Sequence, residues 1–294
     1  MLRRSLRIPA AGCAFLVTAA VSSAVLCSGP GEYADVAVIS GARAGPGTAA
    51  ARVIAHRGAS RDAPENTLAA VDAAHRRGLI WVENDVQRSR DGRLVVLHDA
   101  TLERTTDAAK VFPGRAPWRV GDFTAAEIAR LDAGSWFGGR FAGERVPTLA
   151  AYLRRLERNG QRLLLEIKAP EKYPGIEAQV LRELRTAGWL DRAHVRGRLV
   201  VQSFSVRCVR TVHERAPQVR TGILGAPGAR LLARYARFAD QINPPASALS
   251  SGWLAAVHRL RGPHGRPVEV YVWGVAKNTT TRSIRVRGAD GVIE

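Results

Sequence analysis

Lysine and cysteine are both scarce in this sequence, and each scarcity narrows what the chain can be. Lys110, Lys168, Lys172 and Lys277 are the only lysines among 44 basic residues; the rest are arginines, and with 26 acidic residues the formal net charge is +18. The arginines are scattered, as at Arg154, Arg155, Arg158 and Arg162, with no RNA-binding signature, zinc-ligand spacing or basic zipper to organise them for nucleic acid. Biased composition accounts for such a spread, and attraction of an anionic substrate or membrane is the secondary reading. Of the three cysteines, Cys13 and Cys27 fall in an N-terminal apolar segment, so Cys208 stands alone in the body of the chain and has no partner for an internal disulfide. It sits in Val206-Arg207-Cys208-Val209, a predicted helix, where a thiol serves as a small buried hydrophobe rather than a nucleophile. Charged residues at 24% and hydrophobic residues at 46% supply an ordinary core, which excludes wholesale disorder.

The N-terminus reads as an export segment. Arg3, Arg4 and Arg7 precede an uncharged run over residues 8–26, and Ser22, Ser23 and Ala24 offer a cleavage site. Residues 1–27 are therefore expected to be a signal peptide, or a retained anchor, since the run is long enough to span a membrane. Cys27 as a lipid-attachment site is disfavoured by the bulky Leu26 before it. Residues 28–51, rich in Gly, Ala and Pro, read as a flexible linker. The expected location is extracellular, or membrane-anchored on the outer face, with residues 52–294 as one folded domain.

That domain alternates short β-branched runs with helical stretches, the pattern of an α/β fold with parallel strands. Strands are expected at residues 53–55, 79–87, 162–168, 199–204, 219–224, 238–243, 268–273 and 291–293, and helices at 64–77, 175–187, 205–216, 229–237 and 250–260. Eight strands in a domain close to the roughly 250 residues typical of the fold predict a (β/α)8 TIM barrel. Asp91-Gly92 predicts a hairpin that turns residues 94–97 back antiparallel, because so short a connection cannot join parallel strands. The return strand would bring His98 beside Glu83 and Asp85. Residues 99–147, irregular and holding Pro113 and Pro117, read as a small insertion with a short helix near 124–131 capped by Thr124 and Glu127. The sequence ends in the last strand, so the barrel's final helix is not expected within it.

Chemistry in such a barrel gathers at the C-terminal strand ends. Glu83 and Asp85 are two residues apart on a strand and share a face, and Glu166 would face the same space. Three carboxylates without cysteine suit a hard divalent cation, Ca2+ or Mg2+, rather than structural zinc. Pairing of these acids with arginines is the competing reading, but uncompensated acids inside a barrel are costly and a metal compensates them. Arg57 and Lys168 stand beside the trio, Arg as a bidentate phosphate ligand and Lys as a point charge. His56 and His98 titrate near neutrality, so one can accept a proton while the other donates one. Glu65 is placed either to join the metal site or to hold Arg57; Asn66 could brace the loop, with helix capping as the alternative for this stretch. Trp273 ends the 268–273 strand and is placed to pack against an alcohol's carbon skeleton, or simply against the barrel.

The ordered set of motifs resembles the glycerophosphodiester phosphodiesterase family. It comprises His56-Arg57-Gly58 with Pro64-Glu65-Asn66-Thr67, Glu83-Asn84-Asp85-Val86-Gln87 with Asp91-Gly92, and Val95-Val96-Leu97-His98-Asp99. Leu102-Glu103-Arg104-Thr105-Thr106, Leu131-Asp132-Ala133-Gly134-Ser135-Trp136-Phe137, Val146-Pro147-Thr148-Leu149, Leu165-Glu166-Ile167-Lys168 and Gln202-Ser203-Phe204 follow in order. The resemblance runs from Ala51 to the end. It implies His56 and His98 as the acid/base pair, Glu83, Asp85 and Glu166 as metal ligands with Glu65 as an extra one, Arg57 and Lys168 on the phosphate, and Trp273 on the glycerol. It also implies the small insertion beside the active site. Two departures stand out: Asn84 replaces the aliphatic residue usual between the two acids, with little effect expected on the site, and the family continues past the final strand.

The function these features imply is metal-dependent hydrolysis of glycerophosphodiesters to sn-glycerol 3-phosphate and an alcohol. A lysophospholipase D or related lipid phosphodiesterase would use the same site on a lysolipid, with possible membrane association. A basic surface protein that binds polyanions is the non-enzymatic alternative; it predicts steep salt dependence and no need for the histidines. No specific nucleic-acid partner is expected.

Overall fold

The computed structural model describes residues 52–275 and 288–294. The expected signal or anchor segment (1–27) and linker (28–51) lie outside the described residues. Nine strands form one sheet: β1 (Arg52–Ala55), β2 (Trp81–Arg88), β3 (Leu94–Val96), β4 (Arg162–Ile167), β5 (Leu199–Ser203), β6 (Arg220–Leu224), β7 (Gln241–Asn243), β8 (Tyr271–Trp273) and β9 (Gly291–Ile293). Eight are parallel in the order β7-β6-β5-β4-β2-β1-β9-β8, and β3 hangs antiparallel on β2. The seam between β7 and β8 is narrowed by parallel bridges at Gln241–Glu269 and Pro245–Trp273, with the Ile242 N–H donating to the Glu269 carbonyl at 3.0 Å. This nearly closed ring is the expected barrel.

The helices are α1 (Leu68–Arg76), α2 (Ala108–Val111), α3 (Ala125–Ile128), α4 (Leu149–Arg158), α5 (Ile176–Thr186), α6 (Arg192–Gly197), α7 (Val206–Arg215), α8 (Ala229–Tyr235) and α9 (Ser251–His258); α2 and α3 belong to the insertion and the others flank the barrel. Sequence reading did not identify α4 and α6. In α4, Leu149, Tyr152, Leu153 and Leu156 are all buried, the i, i+3, i+4, i+7 stripe of a core-facing helix, and Thr148 caps it by accepting from the Ala151 N–H. That signal was present but lay just past the insertion. α1 starts at Leu68 rather than at residue 64. Asn66 takes a left-handed φ of +60°, which breaks the helix, and the cap is Thr67, accepting from the Ala70 N–H.

Strand alternation sorts the barrel into two layers. Inward positions Ile54, Trp81, Leu164, Val200, Tyr271 and Ile293 form an apolar plug. One step further along the same faces stand His56, Glu83, Glu166, Gln202 and Trp273, so the period-2 pleat stacks chemistry directly on the plug. Outward positions Val82, Val86, Leu163 and Leu165 pack under the helices. The insertion has an apolar cluster of its own, with Leu102, Val120, Phe123, Ile128 and Leu131 gathered against Val95 and Leu97. The expected Thr124 capping box is formed in full at α3.

Candidate active site

The β2–β3 hairpin does what its Asp-Gly turn predicts. Gly92 sits at φ +81°, Val86 pairs with Val96, and the Leu97 N–H donates to the Asp85 carbonyl at 2.9 Å. His98 is thereby returned to the mouth of the barrel. It lines a cavity of about 330 Å3 together with His56, Arg57, Glu83, Glu166, Lys168 and Trp273.

Glu83, Asp85 and Glu166 converge as predicted, with one oxygen from each within 4.8 Å of the others. All three are buried, Glu83 and Asp85 at 1% exposure and Glu166 at 6%. Burial, then repulsion from Asp85 and Glu166, pushes the Glu83 carboxyl well above the usual carboxylate range. Burial, then Asp85, raises Glu166 to about 7. The cations present do not neutralise the trio. Lys168 Nζ stands 2.8 Å from Glu166 and 3.5 Å from Asp85, and Arg57 Nε stands 3.4 Å from Asp85 without a hydrogen bond. Three clustered oxygen donors short of positive charge fit a hard divalent cation.

Arg57 is held in an unusual backbone state. Its φ is +58° and that of Gly58 is +80°; a Cβ on Gly58 would lie 2.6 Å from the Ala70 Cβ, so only glycine fits there. The turn lets the Arg57 N–H donate to Glu83 Oε2 at 2.9 Å while its side chain donates to Glu65 at 2.7 Å. Strained backbone concentrated beside a carboxylate cluster is characteristic of functional sites. Glu65 takes the second of its two expected positions: it holds Arg57 and also accepts two hydrogen bonds from Arg104, and it stands apart from the carboxylate trio. Both its oxygens accept from guanidinium groups, and the cluster of candidate ligand oxygens comprises Glu83, Asp85 and Glu166. Asn66 does brace the loop, its amide donating to Asp85 Oδ2 at 2.8 Å.

Burial, then the neighbouring Arg57, pushes the His56 imidazole down to about 4, so it is neutral at pH 7. His98 Nδ1 lies 2.7 Å from Asp99 Oδ1, leaving its other ring nitrogen for the cavity. Trp273 is fixed by donating from Nε1 to the Asn243 carbonyl at 2.9 Å and meets Phe204 edge-on, ring centres 5.7 Å apart. Phe204 is 53% exposed, and Lys168 Nζ lies 5.7 Å from its ring centre. Sequence reasoning gave Phe204 and Arg104 no role, although both lie inside quoted motifs. The signal for Phe204 was its alternation with Gln202 and Val200; that for Arg104 depends on tertiary contact and was not legible.

The sequence profile described as the glycerophosphoryl diester phosphodiesterase family matches residues 56–294. The chain is 33% identical over 243 residues to a glycerophosphodiester phosphodiesterase of Caldanaerobacter subterraneus, covering 82% of this chain and 92% of that protein. Among solved structures, a glycerophosphodiester phosphodiesterase from Agrobacterium tumefaciens superposes with a TM-score of 0.65 at 32% identity, over 83% of this chain and 95% of the other. An Oleispira antarctica phosphodiesterase in complex with the product sn-glycerol-3-phosphate matches with a TM-score of 0.65 at 28% identity, covering 82% and 92%. Barrel, hairpin, acidic trio and these matches agree: the chain belongs to the glycerophosphoryl diester phosphodiesterase family.

Proposed function

We propose that the protein hydrolyses glycerophosphodiesters to sn-glycerol 3-phosphate and an alcohol in a reaction that needs a divalent cation. The observation that carries this reading is the meeting, in one cavity, of two imidazoles with a buried carboxylate trio short of positive charge. Glu83, Asp85 and Glu166 would hold the cation, Ca2+ or Mg2+, which when bound supplies Lewis-acid stabilisation of charge on a phosphoryl oxygen. Arg57 and Lys168 bind the phosphate's remaining oxygens, and their fixed positions spare reorganisation as charge develops. His56, kept neutral by burial, takes the proton from the nucleophile, either water or the substrate's neighbouring hydroxyl. His98, beside the Asp99 carboxylate, gives a proton to the leaving alcohol oxygen as the P–O bond breaks. Trp273 packs against the glycerol carbons.

Phe204 supports a second reading on the same site. A half-exposed aromatic at the cavity mouth suits an acyl or choline-bearing lysolipid as well as a small soluble diester. Turnover of glycerophosphocholine and lysophosphatidylcholine, measured in wild-type, His56→Ala and His98→Ala proteins, separates the readings. The first reading expects glycerol 3-phosphate from the soluble diester and a loss of about 10²-fold or more in each histidine variant. Preference for the lysolipid moves the assignment to a lipid phosphodiesterase, and full activity in both variants removes acid/base catalysis by these residues.

A further inference from the structure

We propose that Arg104, carried on the insertion, is a positioning residue that sets both His98 and Arg57 for reaction. The proposal rests on the phosphodiesterase reading for what those two groups do, but its geometry is independent of it. Arg104 uses its whole guanidinium fork. Nε donates to Asp99 Oδ2 at 2.5 Å and Nη2 to Asp99 Oδ1 at 3.0 Å; Nη1 donates to Glu65 Oε2 at 2.9 Å and Nη2 to Glu65 Oε1 at 2.7 Å. Each of these carboxylates in turn holds one functional group, Asp99 the His98 Nδ1 at 2.7 Å and Glu65 the Arg57 Nη1 at 2.7 Å. One side chain thus links the start of the insertion to the β1–α1 loop, 39 residues away in the chain.

Among the described residues, neither carboxylate has another side-chain partner. Without Arg104, Asp99 would keep only the histidine it is meant to orient, and Glu65 only Arg57. The Arg104 bond, ahead of the other contributions, holds the Asp99 carboxyl down at about 2, so Asp99 is an anion across the working range. An anion accepts from Nδ1–H, which fixes the ring's orientation and leaves Nε2 facing the cavity, where it can hand on the proton it carries. Lysine cannot reproduce the arrangement, since its point charge has no fork with which to serve two carboxylates at once.

A plain structural staple is the rival explanation, and magnitudes separate the two. Arg104 is 44% exposed, and ion pairs so open to water contribute little to stability. Displacing a catalytic group by about an ångström, by contrast, can cost on the order of 10²-fold in rate.

The test compares wild type, Arg104→Ala and Arg104→Lys in the full chain by kinetics, thermal unfolding and the ring-nitrogen NMR shifts of His98. The expectation is a near-unchanged Tm with kcat/KM reduced about 10²-fold, mostly in kcat. Arg104→Lys should recover little. Millimolar guanidinium, but not sodium chloride, should restore much of the Arg104→Ala activity, because the vacated position is open to solvent. The His98 Nδ1 shift, which reports the contact with Asp99, should move in Arg104→Ala from its wild-type position. Kinetics within about threefold of wild type, or unchanged His98 shifts in a folded Arg104→Ala protein, overturn the proposal. If wild type shows no turnover, the activity reading fails by itself, and the His98 shifts still decide the role of Arg104.

Discussion

Replacing Asn84 with leucine should stabilise the protein without touching its chemistry. Asn84 lies between two site acids, but the pleat turns it outward, where Val82, Val86, Leu163 and Leu165 pack beneath the helices. It is fully buried, and neither its amide nitrogen nor its oxygen has a hydrogen-bond partner. A buried polar group left without a partner costs about 1–3 kcal/mol, whereas an apolar group of the same shape avoids that cost. Leucine matches asparagine in branching but is bulkier, so the neighbouring side chains must give way and part of the gain is lost. Taking about 1 kcal/mol as the net gain after that loss, and about 2–4 °C per kcal/mol for a domain of this size, Asn84→Leu should raise Tm by about 2–4 °C. Differential scanning calorimetry of the two proteins, with turnover measured beside it, gives the answer. An unchanged or lower Tm would mean that the amide is satisfied in solution or that the site cannot accept the branched chain. A fall in turnover at unchanged fold would mean that position 84 is not insulated from Glu83 and Asp85.

Metal affinity should depend on pH with a definite sign. Glu166 has a folded value of about 7 against 4.5 for the free group, and Glu83 is raised too. In metal-free protein the raised groups therefore favour folding at low pH, and that contribution fades as pH rises through 7. Bound metal requires the deprotonated forms, so calorimetric affinity should climb from pH 5 to about 7 as Glu166 gives up its proton, by about tenfold per unit for each proton released. Affinity that is flat across this range would contradict the assigned ligands. Gly58→Ala should lower Tm and activity together, by at least about 2 kcal/mol in stability, because the left-handed backbone and the 2.6 Å approach to Ala70 leave no room for a methyl group; unfolding and turnover assays that leave the variant like wild type would sink the strain argument. We propose that residues 1–27 direct export: fractionation of expressing cells with N-terminal sequencing should then find the protein outside the cytoplasm and cleaved near residues 22–27, and intact protein in the cytoplasm would contradict the proposal.

The residues whose positions follow from chain-local rules were legible from sequence. Glu83 and Asp85 share a face because strands alternate, and His98 returns beside them because Asp91-Gly92 closes a hairpin. Glu166 and Lys168 follow from the same alternation on a neighbouring strand. What escaped depended on contacts distant in sequence. Arg104 is exposed and unremarkable until Glu65 is brought to it. The contacts of Glu65 with Arg57 and Arg104 likewise depend on the fold. Strand alternation turns Asn84 away from the site, in keeping with the little effect expected of it, but its unpartnered amide appears only once the helices are packed over it. Helix α4 is a different case, since the apolar stripe of Leu149, Tyr152, Leu153 and Leu156 is plain in the sequence itself.

The most direct test of the central claim is release of sn-glycerol 3-phosphate from glycerophosphocholine after chelation and metal return. Protein stripped with EDTA should release essentially none, and Mg2+ or Ca2+ should restore release in wild type but not in Glu166→Gln. Undiminished release in excess EDTA, or full restoration in Glu166→Gln, would contradict the assignment of the buried carboxylates as the cation site.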